Sequence, residues 1–281
     1  MAQVVIVGCG DVGSRLAAQL QQVGHTVTGV RRSAVPLPAG VQALQADVGV
    51  AACPADWPAQ VDYLVYAVAA GAGGEAAYQA AYVEGLRNVL GWLAQRGQQL
   101  KRLLFVSSTG VYGQSDGQWV DETSPSEPAG YSGRILLAAE QLALESGQPA
   151  SWLRLAGIYG PRRGYLLKQA QSGARAEPLQ FTNRIHADDA ANLLATLIAQ
   201  AEQGAALEVG YLGVDDEPAP LDEVLAWLRA ELGIAAGTGE LAKRRAGSKR
   251  CSNQRARALG WQPQYPSYRE GYRVLLAQNA L

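Results

Sequence analysis

The chain has 281 residues, 48% of them hydrophobic and 17% charged, a globular balance with length for a large core and a second small lobe. Its formal net charge of -1 argues against nucleic acid as a partner, because phosphate binding draws on a clear excess of Lys and Arg. The three cysteines, Cys9, Cys53 and Cys251, are too scattered for a disulfide framework or a zinc pattern, so a reducing compartment and no metal are expected.

The apolar run at residues 4–7 is too short for a signal-peptide core, and no stretch approaches the ~20 apolar residues that span a bilayer. The expectation is a cytoplasmic protein with no membrane partner. Residues 3–7 are β-rich, and residues 12–23 carry Val12, Leu16, Leu20 and Val23 at helical spacing before Gly24 closes the helix. Residues 26–30, 41–44, 63–68, 103–106 and 150–155 read as further buried strands, with helices over 75–95 and 132–145 between them. Buried runs alternating with helices imply a parallel sheet covered on both faces, since parallel strands require crossovers.

Beyond Leu155 the pattern becomes irregular. A Gly/Pro/Arg turn at 159–164 precedes a short helix over 165–172 and a strand over 181–186. Helices follow over 187–203 and 221–232, the latter with Asp222 and Glu223 at its positive end. Residues 233–248 read as a basic loop, and 254–259 and 268–277 as closing helices. The expected architecture is α/β: a doubly wound parallel Rossmann sheet with a small C-terminal substrate-binding lobe. Residues 1–158 form the NAD(P)-binding domain, with 184–211 packing back on it; 159–183 and 212–281 form the lobe.

Gly8-Cys9-Gly10-Asp11-Val12-Gly13 is a G-x-G-x-x-G that leaves a strand and opens a helix, the context that makes this spacing a dinucleotide fingerprint. Gly8 permits the tight turn, Gly10 the close approach of pyrophosphate, and Gly13 the packing of helix on sheet. The amides at the helix start, including that of Val12, face the phosphates. Cys9 is a small filler. Asp11 either caps the helix or sets a charge beside the pyrophosphate. Arg31, Arg32 and Ser33 end the second strand where an NAD-preferring site carries a carboxylate; they are either two solvated arginines and a hydroxyl on a loop or, as favoured by the motif before them, a match to an adenosine 2′-phosphate that predicts NADP over NAD. Asp47 either accepts from the adenine amino group or is a turn residue. Ala67 and Val68, at the end of the fourth strand, complete the cofactor set.

Four further motifs carry a family resemblance. Ser107-Ser108-Thr109-Gly110-Val111-Tyr112-Gly113 is similar to S-S-x-x-V-Y-G, and Leu153-Arg154 through Tyr159-Gly160-Pro161 to L-R-x-x-x-x-Y-G-P. Arg184-Ile185-His186-Ala187-Asp188-Asp189 is similar to R-x-I-H-x-D-D, and Asn253 through Leu259-Gly260-Trp261 to N-x-x-A-x-x-L-G-W. Together they resemble the extended, sugar-nucleotide epimerase/dehydratase-like branch of the short-chain dehydrogenase/reductases, in detail its atypical YeeZ-like subgroup.

The resemblance implies that Ser108 polarises a substrate oxygen and that Tyr131 is the acid/base. The family's Lys, four residues after that Tyr, is Ile135 here, which leaves Arg134 as the nearest cation. Arg134 stays protonated and donates in a rigid fork, so it is no simple substitute. The family's Asn in the preceding long helix corresponds to Tyr82. Thr109 and Gly110 stand where 4,6-dehydratases carry Asp and Glu. His186 reads as a packed residue at a helix start. The basic positions Arg162, Arg163, Arg184, Lys243, Arg244, Arg245, Lys249 and Arg250 either form a solvated face or line a cleft suited to an anionic small-molecule substrate. The functional expectation is an NAD(P)-dependent oxidoreductase or epimerase acting on a secondary alcohol or ketone such as a sugar nucleotide. The alternative is a catalytically eroded NAD(P)-binding sensor or scaffold. The sequence leaves the oligomeric state open.

Overall fold

The computed structural model describes residues 1–242 and 247–278. In chain order the strands are β1 (Gln3–Val7), β2 (Thr26–Arg31), β3 (Gln42–Gln45), β4 (Tyr63–Tyr66), β5 (Arg102–Ser108), β6 (Gln118–Val120), β7 (Ala150–Leu155), β8 (Gly157–Tyr159), β9 (Phe181–Thr182), β10 (Arg184–His186), β11 (Gly210–Gly213), β12 (Ala219–Pro220) and β13 (Lys249–Cys251). The helices are α1 (Asp11–Gln22), α2 (Gly74–Tyr78), α3 (Gly85–Gln95), α4 (Tyr131–Leu144), α5 (Tyr165–Gln171), α6 (Ala187–Glu202), α7 (Leu221–Glu231), α8 (Gln254–Ala258) and α9 (Tyr268–Ala277). They gather into two compact units. Unit 1 comprises Met1–Val111, Pro128–Arg154 and Ala191–Tyr211, and unit 2 comprises Tyr112–Glu127, Leu155–Ala190 and Leu212–Leu281.

Unit 1 is built on a seven-stranded sheet of order β11-β7-β5-β4-β1-β2-β3. β1 pairs in parallel with β2 on one side and β4 on the other, Val7 standing opposite Val30 and Tyr66. Its Val4, Val5, Ile6 and Val7 are fully buried, as a central strand covered on both faces demands. The chain winds outward through β2 and β3, then returns to lay β4 on the far side of β1. The carboxyl ends of β1 and β4 therefore form the topological switch point at which ligands bind in this architecture.

The helix expected over 75–95 is interrupted. α2 and α3 are joined by a π-helical turn, Gln79–Glu84, in which Tyr66 Oη donates to the Ala81 carbonyl at 2.5 Å. That bond diverts a carbonyl from the regular ladder, and a Cβ at Gly85 would stand only 2.5 Å from the same hydroxyl. Such turns recur at functional sites.

Unit 2 holds three two-stranded pieces, β10-β8, β12-β9 and β13-β6. Its core joins Tyr159 and Leu167 to Val224, Leu225 and Leu228 of α7 and to Tyr268, Tyr272 and Leu275 of α9. A Ser267–Glu270 capping box starts α9. The single strand expected over 181–186 is two: β9 pairs with β12, β10 with β8, and between them the Asn183 side chain bonds the backbone of Lys249 and Cys251. Among the described residues no helix is long and apolar enough to cross a membrane, and no His/Cys/Asp/Glu group could hold a metal ion.

Candidate functional site

The glycine loop sits at the switch point. Gly8 has φ +86°, and a Cβ there would lie 2.5 Å from Val68 N and 2.6 Å from the Ala67 carbonyl carbon, so the loop presses directly on the end of β4. Gly13 packs α1 on β1: its Cβ would stand 3.0 Å from Gly8 O and 3.1 Å from Ile6 Cγ2. At Gly10 a Cβ would meet only Gly8 O at 3.9 Å, which leaves that face open. No side chain caps α1, so its amino-terminal dipole faces the same open space. Asp11 does not cap the helix; its carboxylate accepts from Arg15 Nε at 2.9 Å, which draws its charge along the helix flank. Cys9 is wholly buried against β2, where burial pushes its thiol up; a Cβ at Gly29 would stand 2.8 Å from its sulfur.

At the end of β2, backbone bonds fix the chain: Ala46 N donates to Arg31 O at 2.9 Å, and Gln45 Nε2 to Arg32 O at 3.0 Å. Among the described residues neither the Arg31 nor the Arg32 guanidinium makes a hydrogen bond or ion pair, and Arg32 and Ser33 are exposed. Two guanidiniums so disposed suit an anion such as a phosphate. Asp47 is exposed and accepts from Gly49 N at 2.8 Å, the turn role offered by its sequence. These residues fit a dinucleotide: an open glycine face, an uncapped helix start, and two unneutralised cations one strand away.

The second half of the site lies at the ends of β5 and α4. Ser108 closes β5, and its hydroxyl accepts from Gly110 N at 3.1 Å, which leaves the hydroxyl proton free to donate. Tyr131 is the first residue of α4, and Tyr78 of α2 meets its ring edge to face, with centroids 5.6 Å apart. Tyr78 in turn packs on Tyr82 at 5.3 Å. Tyr82 rides the π-helical turn, hydrogen-bonded to the backbone of Ala70, and burial pushes its phenol up. Arg134 is exposed and donates to Ala129 O at 3.2 Å, so it serves the helix start rather than a phenol. Ile135 is buried at 7% exposure.

Beneath this edge lies a charged network that the sequence reading passed over. Glu140 of α4 accepts from Ser107 Oγ at 2.6 Å and from Arg154 Nε at 3.0 Å and Nη2 at 2.7 Å, both charged side chains being about 95% buried. Arg154 also lies over the Trp152 ring at 4.0 Å. Through Ser107, the Glu140 carboxylate ties the strand that ends in Ser108 to the helix that begins at Tyr131. The available signal was a lone acid in the apolar face of α4 and a lone base inside the apolar β7, since such charges are buried only as partners.

The residues of the family model for NAD-dependent epimerases/dehydratases run from 4 to 210, through the glycine loop, the Ser108 edge, Tyr131 and Arg154. The chain belongs to the NAD-dependent epimerase/dehydratase family. It is 29% identical over 217 residues to Protein YeeZ of Escherichia coli strain K12, covering 73% of this chain and 75% of that one. A solved structure from Methylobacillus flagellatus, assigned to the NAD-dependent epimerases/dehydratases, is 41% identical, with TM-score 0.81 over 99% of this chain and 98% of its own. The structure of MoeE5 in complex with UDP-glucose and NAD shares the fold at 21% identity, with TM-score 0.78 over 99% and 98% of the two chains.

Several basic positions of the expected cleft lie elsewhere. Arg184 and Lys249 are each 2% exposed, so neither offers charge to solvent. Arg184 donates to Thr182, and Lys249 Nζ to Tyr112 O at 3.0 Å. Lys243, Arg244 and Arg245 lie outside the described residues. His186 is buried against Tyr159 and Tyr265 and accepts from Asp188 N at 3.2 Å. Asp189, pushed up to about 6 by burial, accepts from the amides of Gln264 and Tyr265.

Proposed function

We propose that the chain is an NADP-preferring oxidoreductase or epimerase of the extended short-chain dehydrogenase/reductase type, acting on a secondary alcohol or ketone such as a sugar nucleotide. The observation that carries the cofactor choice is the pair of unneutralised guanidiniums, Arg31 and Arg32, at the β2 position where an NAD-selective site carries a carboxylate. A 2′-phosphate there gains charge-assisted bonds. When bound, the dinucleotide supplies the hydride donor or acceptor. The chain's own share is to hold and move the proton. Ser108 donates its hydroxyl hydrogen to the substrate oxygen, and Tyr131 exchanges the hydroxyl proton. Substrate recognition is assigned to the lobe of residues 159–183 and 212–281. The UDP-glucose held by MoeE5 on this fold supports the sugar-nucleotide class.

Titration calorimetry tests the cofactor choice: NADPH binds at least ~10-fold more tightly than NADH, a difference of about 1.4 kcal/mol. Equal affinities overturn it. The second reading, a catalytically eroded sensor, draws on Ile135 in place of the family's Lys and on Arg134 turned to Ala129 O. Tight NADPH binding without turnover across ketones and sugar nucleotides favours that reading.

A further inference from the structure

Tyr82 stands where the resemblance implies an asparagine, and the chain around it is arranged to receive a phenol. Tyr66, the last residue of β4, is fully buried, with its ring stacked on Phe105 at a centroid distance of 5.9 Å. The stack fixes the direction of its hydroxyl, which donates to Ala81 O, the carbonyl just before Tyr82. With that carbonyl engaged from outside, the helix widens locally to the π turn Gln79–Glu84, and Tyr82 is carried on it.

Tyr82 is held at both ends. Its hydroxyl takes the amide of Ala70, in the loop whose Ala67 and Val68 press on Gly8. Its ring packs on Tyr78, four residues earlier, with centroids 5.3 Å apart and planes at 47°. Tyr78 in turn meets Tyr131 edge to face, at 5.6 Å and 88°. The three rings are half-buried and all belong to unit 1. Among the described residues the Tyr131 hydroxyl makes no hydrogen bond, so packing against Tyr78 sets the direction of its ring. Arg134, the nearest cation in sequence, donates to Ala129 O instead.

We propose that Tyr82 and Tyr78 are positioning residues that aim the Tyr131 hydroxyl through a three-ring series. Aromatic pairs have preferred geometries, because the positive edge of one ring seeks the negative face of the other. The setting of Tyr78 therefore fixes that of Tyr131, and Tyr82, anchored by its hydroxyl and the π turn, fixes Tyr78. Aiming a reacting group before substrate arrives removes orientational entropy from the barrier. Aromatic packing supplies direction without charge. The inference deepens the reading of Tyr131 as the acid/base and rests on it.

The test follows the Tyr131 ring by NMR in the full chain, with carbon-13-labelled tyrosine and Tyr131→Phe to assign its signal. Tyr82→Leu removes a ring that acts on Tyr131 only through Tyr78, and it moves the Tyr131 signal. Tyr82→Asn, the residue the resemblance implies, moves it the same way, whereas Tyr82→Phe, which keeps the ring, leaves it near the parent position. In the double variant of Tyr78→Leu with Tyr82→Leu the signal stands where Tyr78→Leu alone puts it, since the second ring works through the first. Melting curves establish that each variant is folded. On a substrate found by screening, Tyr82→Leu lowers kcat roughly 10-fold with KM unchanged, the signature of lost orientation. A Tyr131 signal unmoved by both Tyr82→Leu and Tyr82→Asn overturns the proposal, as do changes from the two sites that simply add. Full turnover in Tyr131→Phe, with the signal cycle as expected, would instead end the acid/base reading and with it the catalytic purpose of the series.

Discussion

At the glycine loop each glycine is set by the backbone around it: Gly8 bends against Ala67 and Val68, Gly13 seats α1 on Ile6, and Gly10 leaves its face open. At the ends of β5 and α4, by contrast, Ser108 and Tyr131 keep the family's hydroxyls while Ile135 and Tyr82 replace its Lys and Asn. The two regions differ in what holds their residues in place. Gly8 and Gly13 answer to the protein's own backbone, and a side chain at either would displace it. The Lys and Asn that the resemblance implies are not needed by this fold, which buries Ile135 in α4 and seats Tyr82 on the π-helical turn. What the catalytic edge does retain is the Ser107–Glu140–Arg154 network, which folding uses.

The largest effect tests that last point. Glu140→Gln removes the carboxylate that neutralises the buried Arg154 guanidinium, at a cost of about 3–5 kcal/mol, read as a lower denaturation midpoint. The double substitution Glu140→Leu with Arg154→Met recovers most of it, since an apolar pair of similar volume replaces a buried ion pair at little cost. A loss below ~1 kcal/mol for Glu140→Gln, the range of an exposed pair, would show that the network does not anchor the edge.

Next comes Gly10→Val. A Cβ there meets only Gly8 O, at 3.9 Å, so the fold is expected to stand, while the side chain fills pyrophosphate space. NADPH affinity falls at least ~100-fold, or about 2.7 kcal/mol, with an unchanged melting curve. Undiminished binding in a folded variant would make the loop structural only.

The catalytic edge can be sharpened from both directions. Tyr131→Phe removes the acid/base hydroxyl and eliminates turnover of any substrate found by screening, while NADPH still binds. Ile135→Lys restores the family's residue and raises turnover roughly 10-fold, in the lower part of what positioned acid–base groups contribute. Full activity in Tyr131→Phe would end the assignment. The smallest effect is at β2: Arg31→Ala weakens NADPH about 10-fold and leaves NADH unchanged, removing most of the preference. Equal losses for both cofactors would mean that Arg31 does not read the 2′-phosphate.

The candidate cofactor half could be proposed from the sequence because its residues are contiguous. A strand, a glycine loop and a helix start follow one another within Gln3–Gln22, and the end of β2 is fixed by the loop before it. The catalytic half was legible only through resemblance, because Ser108 and Tyr131 meet no local rule that distinguishes them from a turn hydroxyl and a helix-start aromatic. Besides the Glu140–Arg154 pair and the short strands β6, β8, β12 and β13, the sequence reading missed β11 and the π-helical turn. β11 has four residues with glycine at both ends, and Gly210 is there because any side chain would enter the Trp152 ring. The π-helical turn depends on Tyr66, reaching Ala81 from a strand 15 residues earlier.

By itself the sequence determined the alternation of buried strands and amphipathic helices, the dinucleotide fingerprint and the cationic end of β2, since each follows from spacing within about one supersecondary unit. Tertiary structure alone decided which charges face solvent. Arg184 and Lys249 look like members of a basic surface in the chain yet are buried, while Arg250, their neighbour in composition, stays open between two rings. It also decided that Glu140 and Arg154 are partners. A charge is drawn into a protein or left in water according to the groups that meet it from distant segments, and those meetings are set by how strands and helices pack, not by their order.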